Sequence, residues 1–432
     1  MSGFADDRVP AASHRHKRWF ARALGPGLIT GASDDDPSGI ATYSQAGAQL
    51  GYAITWTMLC TYPLMIVIQE ISGRIGRTTG KGIAGNICRH YPSWLVQTIV
   101  LLLLVANILN IGADLGAMGD ALGLLIAGPR LLYVVSFGAL GGVLQIFMKY
   151  GRYVAMLKWL TLALFAYFGT VMVVKIPWGE AARGFLVPTV SFAPGFWTMV
   201  VAIMGTTISP YLFFWQASQE AEDTREVRGR RPLLQAPQQG MEANERIRVD
   251  TYVGMAFSNV VALAIMITTA ATLHMAGITD IDSSSTAAEA LRPVAGPFAS
   301  TLFALGIIGT GLLAVPILAG SAAYALGEAR KWPIGLARNP SRAKAFYLSL
   351  AAATLIGVLI NFSPIDPIKA LYWSAVINGI VAVPVMGIMM LMAASPMIMG
   401  RFAIPVTMRV IGWTATLVMA LAVIGMGITA WI

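Results

Sequence analysis

Charge is scarce in this chain. Of its 432 residues only 12% are Asp, Glu, Lys or Arg, while 56% are hydrophobic and the mean hydropathy is +0.67. A soluble domain carries roughly 25% charged residues, so this balance excludes a water-soluble globular fold. Cysteine is nearly missing. Cys60 and Cys88 form no metal motif, and two thiols do not make a disulfide framework. Histidine is rare as well: there are four, of which His14 and His16 lie in the N-terminal stretch, and no His-Glu-x-x-His occurs. Acid–base catalysis usually needs a His or paired carboxylates beside a site. The chain is therefore not read as an enzyme, and no cofactor is expected.

Long apolar runs are abundant instead. They are continuous and about 20 residues long, which is the length of a membrane-spanning helix. The short alternating segments of a membrane barrel are absent. The fold class is thus an all-α polytopic membrane protein whose main partner is the lipid bilayer. The formal charge of +9 does not point to nucleic acid, because the basic residues sit in short loops, where they set membrane orientation.

Eleven segments are expected: 19–52, 53–75, 94–126, 131–147, 153–174, 195–220, 252–276, 298–326, 346–360, 368–393 and 410–432. His14–Arg18 followed by Trp19–Ser33 has the look of a signal peptide. Arg22, Pro26 and three glycines in the apolar part favour a half-helix that continues after a break. Alternate loops are basic: the tail (Arg15, Lys17, Arg18), the loop after segment two (Arg77, Lys81, Arg89), the loop after segment four (Lys149, Arg152), and the long loops after segments six and eight. The opposite loop 277–285 holds Asp280 and Asp282 with no Lys or Arg. By the positive-inside rule the N-terminus is cytoplasmic and the C-terminus outside, in a bacterial inner membrane.

Two segments are interrupted. The first reads Gly31-Ala32-Ser33-Asp34-Asp35-Asp36-Pro37-Ser38-Gly39, and the sixth reads Gly205-Thr206-Thr207-Ile208-Ser209-Pro210-Tyr211. A helix broken inside a bilayer frees backbone groups, which is tolerable only where they line a cavity or grip a ligand. Pro37 and Pro210 fall at matching places in two units of five segments, the second starting on the opposite side. That pattern predicts an inverted repeat with a site near the midplane. The division is a tail at 1–18, a first repeat at 19–177, a second repeat at 195–396 with a flexible cytoplasmic linker at 222–248, and an eleventh segment at 405–432.

A carboxylate at a break suggests a cation. Asp36 lies closest to the break and is the expected ligand; Asp34 and Asp35 then cap the half-helix or face a vestibule, with an exposed loop as the competing reading. Thr206, Thr207 and Ser209 supply hydroxyls beside Pro210, although Ser and Thr often bond back to their own helix. Asn107, Asn110 and Asp114 share one face of segment three. Asp114 either completes an ion path or holds the bundle together. Glu70 reads as an interfacial ion-pair partner, and Asn378 is a weaker polar candidate in segment ten.

These residues resemble the NRAMP family of divalent-metal transporters. Gly25-Pro26-Gly27-Leu28 and Asp36-Pro37 are similar to that family's opening and its Asp-Pro-Gly-Asn motif. Gln69-Glu70-Ile71-Ser72, Ala113-Asp114-Leu115 with Gly119, and the Ser209-Pro210-Tyr211 stretch are similar to its second, third and sixth segments. The resemblance spans about residues 20 to 390. It implies a LeuT-like 5+5 inverted repeat with broken helices 1 and 6.

The departures carry a further implication. The motif Asn is Gly39 here, the metal-binding Met is Ser209, the His after the proline is Tyr211, and the Glu following the third-segment Asp is Ala117. A hydroxyl is a harder ligand than a thioether. A wide oxygen-lined site suits Mg²⁺, which keeps several waters. Losing His and Glu removes groups that carry protons. The departures resemble the NRAMP-related magnesium transporters, whose members also pass Mn²⁺ without proton coupling.

The expected function is import of Mg²⁺ and Mn²⁺, largely hydrated, by alternating access. Metal contacts come from Asp36, Gly39, Thr206 and Ser209, with Asn110, Asp114, Thr207, Tyr211 and Asn378 around them or along the path. The alternatives are proton-coupled Mn²⁺/Fe²⁺ import and a LeuT-fold amino-acid transporter, against which three aspartates at the first break argue. The sequence sets no oligomeric state, and a monomer suffices.

Overall fold

The computed structural model describes residues 30–31, 33–147 and 160–431. The expected tail, the start of segment one and the start of segment five lie outside the described residues. Among the described residues the chain is helical, with no strand.

The first half-helix ends at residues 33–34. After the break come α1 (Pro37–Leu50), α2 (Trp56–Thr79), α3 (Ile83–His90), α4 (Ser93–Gly123) and α5 (Arg130–Phe147). Then follow α6 (Phe165–Val173), α7 (Trp178–Leu186), and the two halves of segment six, α8 (Phe196–Thr207) and α9 (Pro210–Glu226). The rest comprises α10 (Gly240–Thr272), α11 (Ala299–Ala329), α12 (Lys344–Ile360), α13 (Pro367–Ala394) and α14 (Val406–Thr429), with short helical turns between. Each of the eleven expected segments therefore carries a helix. Among the described residues six spans are long and apolar enough to cross a bilayer, and residues 37–54 and 56–79 meet at 109°.

Two short helices, α3 and α7, fall in stretches expected to be loops. Each has its apolar residues on one face, with Ile83, Ala84 and Ile87 of α3 buried, so it lies against the bundle rather than crossing it. The linker also differs from the expectation of a flexible, solvated segment. Residues 240–248 already belong to α10, and Leu233 and Ala236 are buried. The backbone amides of Leu233 and Leu234 donate to the carbonyls of Arg77 and Thr78 (both 3.2 Å). Arg77 donates to the carbonyl of Arg231 (2.9 Å) and to Gln239 Oε1 (2.8 Å). The linker remains largely exposed, yet part of its polar composition makes fixed hydrogen bonds to the end of α2.

The core is formed where α4 packs along α11, α12 and α13, α8 along α13, α9 along α2, and α10 along α1. Small residues allow these approaches, as in other membrane helix pairs. A Cβ on Gly205 of α8 would lie 2.0 Å from the carbonyl oxygen of Ala375 and 2.5 Å from the amide of Gly379, both on α13. Backbone thus meets backbone one turn before the second break.

Candidate functional site

The first break is built by Asp36. Its backbone is extended (φ −71°, ψ 172°) and Pro37 takes the first helical position, where a missing N–H costs nothing. Asp36 Oδ1 caps α1, accepting from the Gly39 amide (2.7 Å) and Ser38 Oγ (2.6 Å). Oδ2 faces the other way and accepts from Asn110 Nδ2 of α4 (3.1 Å) and the Tyr211 hydroxyl of α9 (3.3 Å). Asn110 Oδ1 accepts in turn from Ser374 Oγ of α13 (2.7 Å). One carboxylate, 2% exposed, therefore ties α1 to α9 and, through Asn110, to α4 and α13.

The second break follows from Pro210, which removes the amide that would bond to the carbonyl of Thr206. Ser209 Oγ compensates, lying 2.7 Å from the carbonyl oxygens of both Thr206 and Gly205. Thr206 Oγ1 lies 2.8 Å from the Ile203 carbonyl and 2.9 Å from the Tyr43 hydroxyl, and Thr207 Oγ1 bonds to the Ile203 carbonyl (3.1 Å). These hydroxyls thus engage their own helix and Tyr43. Tyr211 joins the two breaks: its hydroxyl also lies 3.0 Å from the carbonyl of Ser33, at the end of the first half-helix.

The three aspartates point in two directions. Asp34 and Asp35 are each 1% exposed, which corrects the expectation that they face a vestibule and excludes the exposed loop. Ser258 Oγ of α10 lies 2.6 Å from Asp34 Oδ2 and 3.1 Å from Asp35 Oδ1. The other oxygens, Asp34 Oδ1 and Asp35 Oδ2, have no hydrogen-bond partner among the described residues.

Asp114 sits one turn beyond Asn110 on α4, fully buried, and neither of its oxygens has a hydrogen-bond partner among the described residues. It is near enough to Asp36 for their charges to interact. The Asn378 amide of α13 is likewise buried with neither end bonded, next to the Gly379 that touches Gly205. Buried polar groups of this kind are costly unless something satisfies them. Asn107 is a packing residue, donating to the Leu318 carbonyl (2.9 Å) and Ser321 Oγ (2.6 Å) of α11. Glu70 pairs with Arg74 (2.6 Å), away from the breaks.

Ser38, Tyr43, Ser258 and Ser374 belong to this network and are not evident from the sequence. A hydroxyl inside an apolar helix usually bonds back to its own backbone, so only the packing shows which ones reach across.

The profile described as natural resistance-associated macrophage protein-like matches residues 27–429. The chain belongs to the Nramp family. Among curated relatives of this Nramp protein, the divalent metal cation transporter MntH of Klebsiella pneumoniae (strain 342) is 27% identical over 314 residues, covering 71% of this chain and 72% of the relative. MntH of Deinococcus radiodurans is 26% identical over 429 residues, 95% of this chain and 90% of the relative. The solved structure of the Eremococcus coleocola manganese transporter with an aromatic bis-isothiourea substituted compound superposes with a TM-score of 0.73, over 98% of this chain and 89% of that one, at 17% identity. Mhp1, a nucleobase-cation-symport-1 family transporter, superposes with a TM-score of 0.55 over 94% and 92% of the two chains, at 13% identity. The Nramp chain thus has the LeuT-like fold that the family resemblance implied.

Proposed function

We propose that this Nramp protein imports divalent metal cations, Mg²⁺ and Mn²⁺ in largely hydrated form, by alternating access and without proton coupling. The supporting observation is the buried carboxylate of Asp36, placed at one helix break and touched by the first turn after the other. On this reading the ion replaces hydrogen-bond donors at Asp36, and Asn110, Thr206 and Ser209 meet the ion or its waters. Gly39 keeps side-chain bulk away from Asp36, since a Cβ there would lie 3.2 Å from the Asp34 carbonyl, 3.3 Å from the Tyr43 ring and 3.5 Å from Asp36 Oδ1. The relatives named above as divalent-metal and manganese transporters support the substrate class.

On this reading the N-terminus is cytoplasmic, which the basic loops support. A membrane potential then suffices as driving force: a divalent charge crossing about 100 mV gains roughly 4.6 kcal/mol, at about 2.3 kcal/mol per charge. The test is uptake of Mg²⁺, Mn²⁺ and Ca²⁺ into liposomes that carry a pH dye. Flux of Mg²⁺ and Mn²⁺ with a silent dye is the expected result, abolished by Asp36→Ala.

A second reading, proton-coupled Mn²⁺/Fe²⁺ import, is favoured by the unpaired buried oxygens of Asp34, Asp35 and Asp114. Carboxylates so placed need a compensating positive charge, either a metal or a proton. Acidification of the lumen during metal uptake would select this reading.

A further inference from the structure

Away from the helix breaks, the face that carries the basic loops holds a cavity of about 470 Å³. It is lined by Lys81 after α2, Arg89 in α3, Arg225 in the last turn of α9, and Lys331 and Trp332 after α11. Glu328 is the single carboxylate in the lining, and both of its oxygens are engaged: Oε1 by the Gly82 amide (2.7 Å) and Oε2 by the Gly85 amide (2.9 Å). It attracts Arg225 and Lys81 at longer range only. Among the described residues none of the four cations forms an ion pair. Four like charges drawn from three parts of the bundle repel one another across this space, and an anion between them reverses that repulsion.

Lys331 adds a second observation. It is the only described non-glycine residue with positive φ (59°). Its amide donates to the carbonyl of Glu328 (3.2 Å), and the Trp332 amide donates to that of Gly327 (2.8 Å), which together close a Schellman turn at the end of α11. Glycine is the usual residue there, because a side chain strains a left-handed backbone. The chain bears that strain at the one position of the turn that carries a cation to the cavity, and retained strain of this kind clusters at ligand sites.

We propose that this cavity binds a phosphate-bearing anion through Lys81, Arg89, Arg225 and Lys331, with Trp332 forming an apolar wall. The shared chemistry is the phosphate group, carried either by a soluble phosphoanhydride or by the headgroup of an anionic phospholipid in the adjoining leaflet. Phosphate takes such multiple charge-assisted hydrogen bonds from Arg and Lys. The site is independent of the ion reading at Asp36, and either can fail without the other.

The test is the melting temperature of the purified full chain in metal-free buffer, with inorganic pyrophosphate or with short-chain phosphatidylglycerol, and phosphatidylcholine as the neutral control. A rise with pyrophosphate assigns the soluble source, and a rise with phosphatidylglycerol alone assigns the lipid. In either case Lys331→Gly must melt no lower than the native chain without ligand, because glycine suits the turn. It must also weaken binding about tenfold, as must Arg225→Gln, the loss of one charge-assisted contact. Arg409→Gln, removing an exposed charge elsewhere, must leave the rise intact. No rise with either anion, or a rise that persists unchanged in Lys331→Gly and Arg225→Gln, overturns the proposal.

Discussion

The hydroxyl of Tyr211 lies 3.3 Å from Asp36 Oδ2 while also reaching the Ser33 carbonyl at 3.0 Å, so one side chain from the second break spans both edges of the first. Tyr211→Phe keeps the ring and removes that span. A lost hydrogen bond of this kind costs about 1 kcal/mol of stability. The expected outcome is a modestly lower melting temperature and a reduced maximal Mn²⁺ flux, because the two breaks are no longer held in register. Unchanged flux in Tyr211→Phe would remove Tyr211 from the transport cycle.

Asn110 passes the contact onward, donating to Asp36 and accepting from Ser374. Asn110→Ala removes the amide that meets the ion or its waters once the ion has taken its place at Asp36, and leaves Ser374 without an acceptor on α4. Ser374→Ala leaves the Asn110–Asp36 bond in place. Apparent metal affinity is therefore expected to fall about tenfold in Asn110→Ala, corresponding to about 1.4 kcal/mol, and clearly less in Ser374→Ala. Concentration-dependent Mn²⁺ uptake in the two variants measures the order.

Asp114 opposes stability to function. A buried carboxylate with no hydrogen-bond partner is expensive, and neutralising it relieves that cost. Asp114→Asn is expected to raise the melting temperature while lowering Mg²⁺ and Mn²⁺ flux. If flux is untouched while stability rises, Asp114 lies off the ion path.

Two glycines near the breaks separate space kept for packing from space kept for the ion. Gly205→Ala drives a Cβ into the α13 backbone at 2.0 Å, and overpacking of this kind costs about 1–3 kcal/mol or more. At Gly39 the nearest atoms stand at 3.2 Å (Asp34 carbonyl), 3.3 Å (Tyr43 ring) and 3.5 Å (Asp36 Oδ1), so a methyl enters with a small shift. Gly205→Ala is expected to lower the yield of folded protein. Gly39→Ala is expected to fold and to lose more Mg²⁺ than Mn²⁺ uptake, since the strongly hydrated ion needs the room. Parallel uptake assays on the purified variants check both.

The breaks were legible because proline leaves a mark that no tertiary context hides: Pro37 and Pro210 each sit at the first position of a new helix. Asp36 stood out as the carboxylate closest to the break; its role as the cap of α1 did not, because capping was expected of Asp34 and Asp35. Tyr211 was placed around the ion or along its path by its position after Pro210, but its hydroxyl contacts with Ser33 and Asp36 come only from the packing. Asp34 and Asp35 read as capping the half-helix or facing a vestibule; Ser258, more than two hundred residues away, takes them inside. The segment before α10 looked flexible because Gln, Pro and Gly are common in loops. Its order comes from long-range partners such as Arg77 and Gln239, which no local pattern announces.

The most direct test of a doubly charged ion held at Asp36 is Mn²⁺ uptake by Asp36→Asn in liposomes, read beside its melting temperature. Asn caps a helix about as well as Asp, so the variant keeps the break while losing the charge and the second acceptor oxygen that Asn110 and Tyr211 address. The account predicts a folded protein with Mn²⁺ and Mg²⁺ flux reduced to background. Native-level flux in folded Asp36→Asn would contradict it.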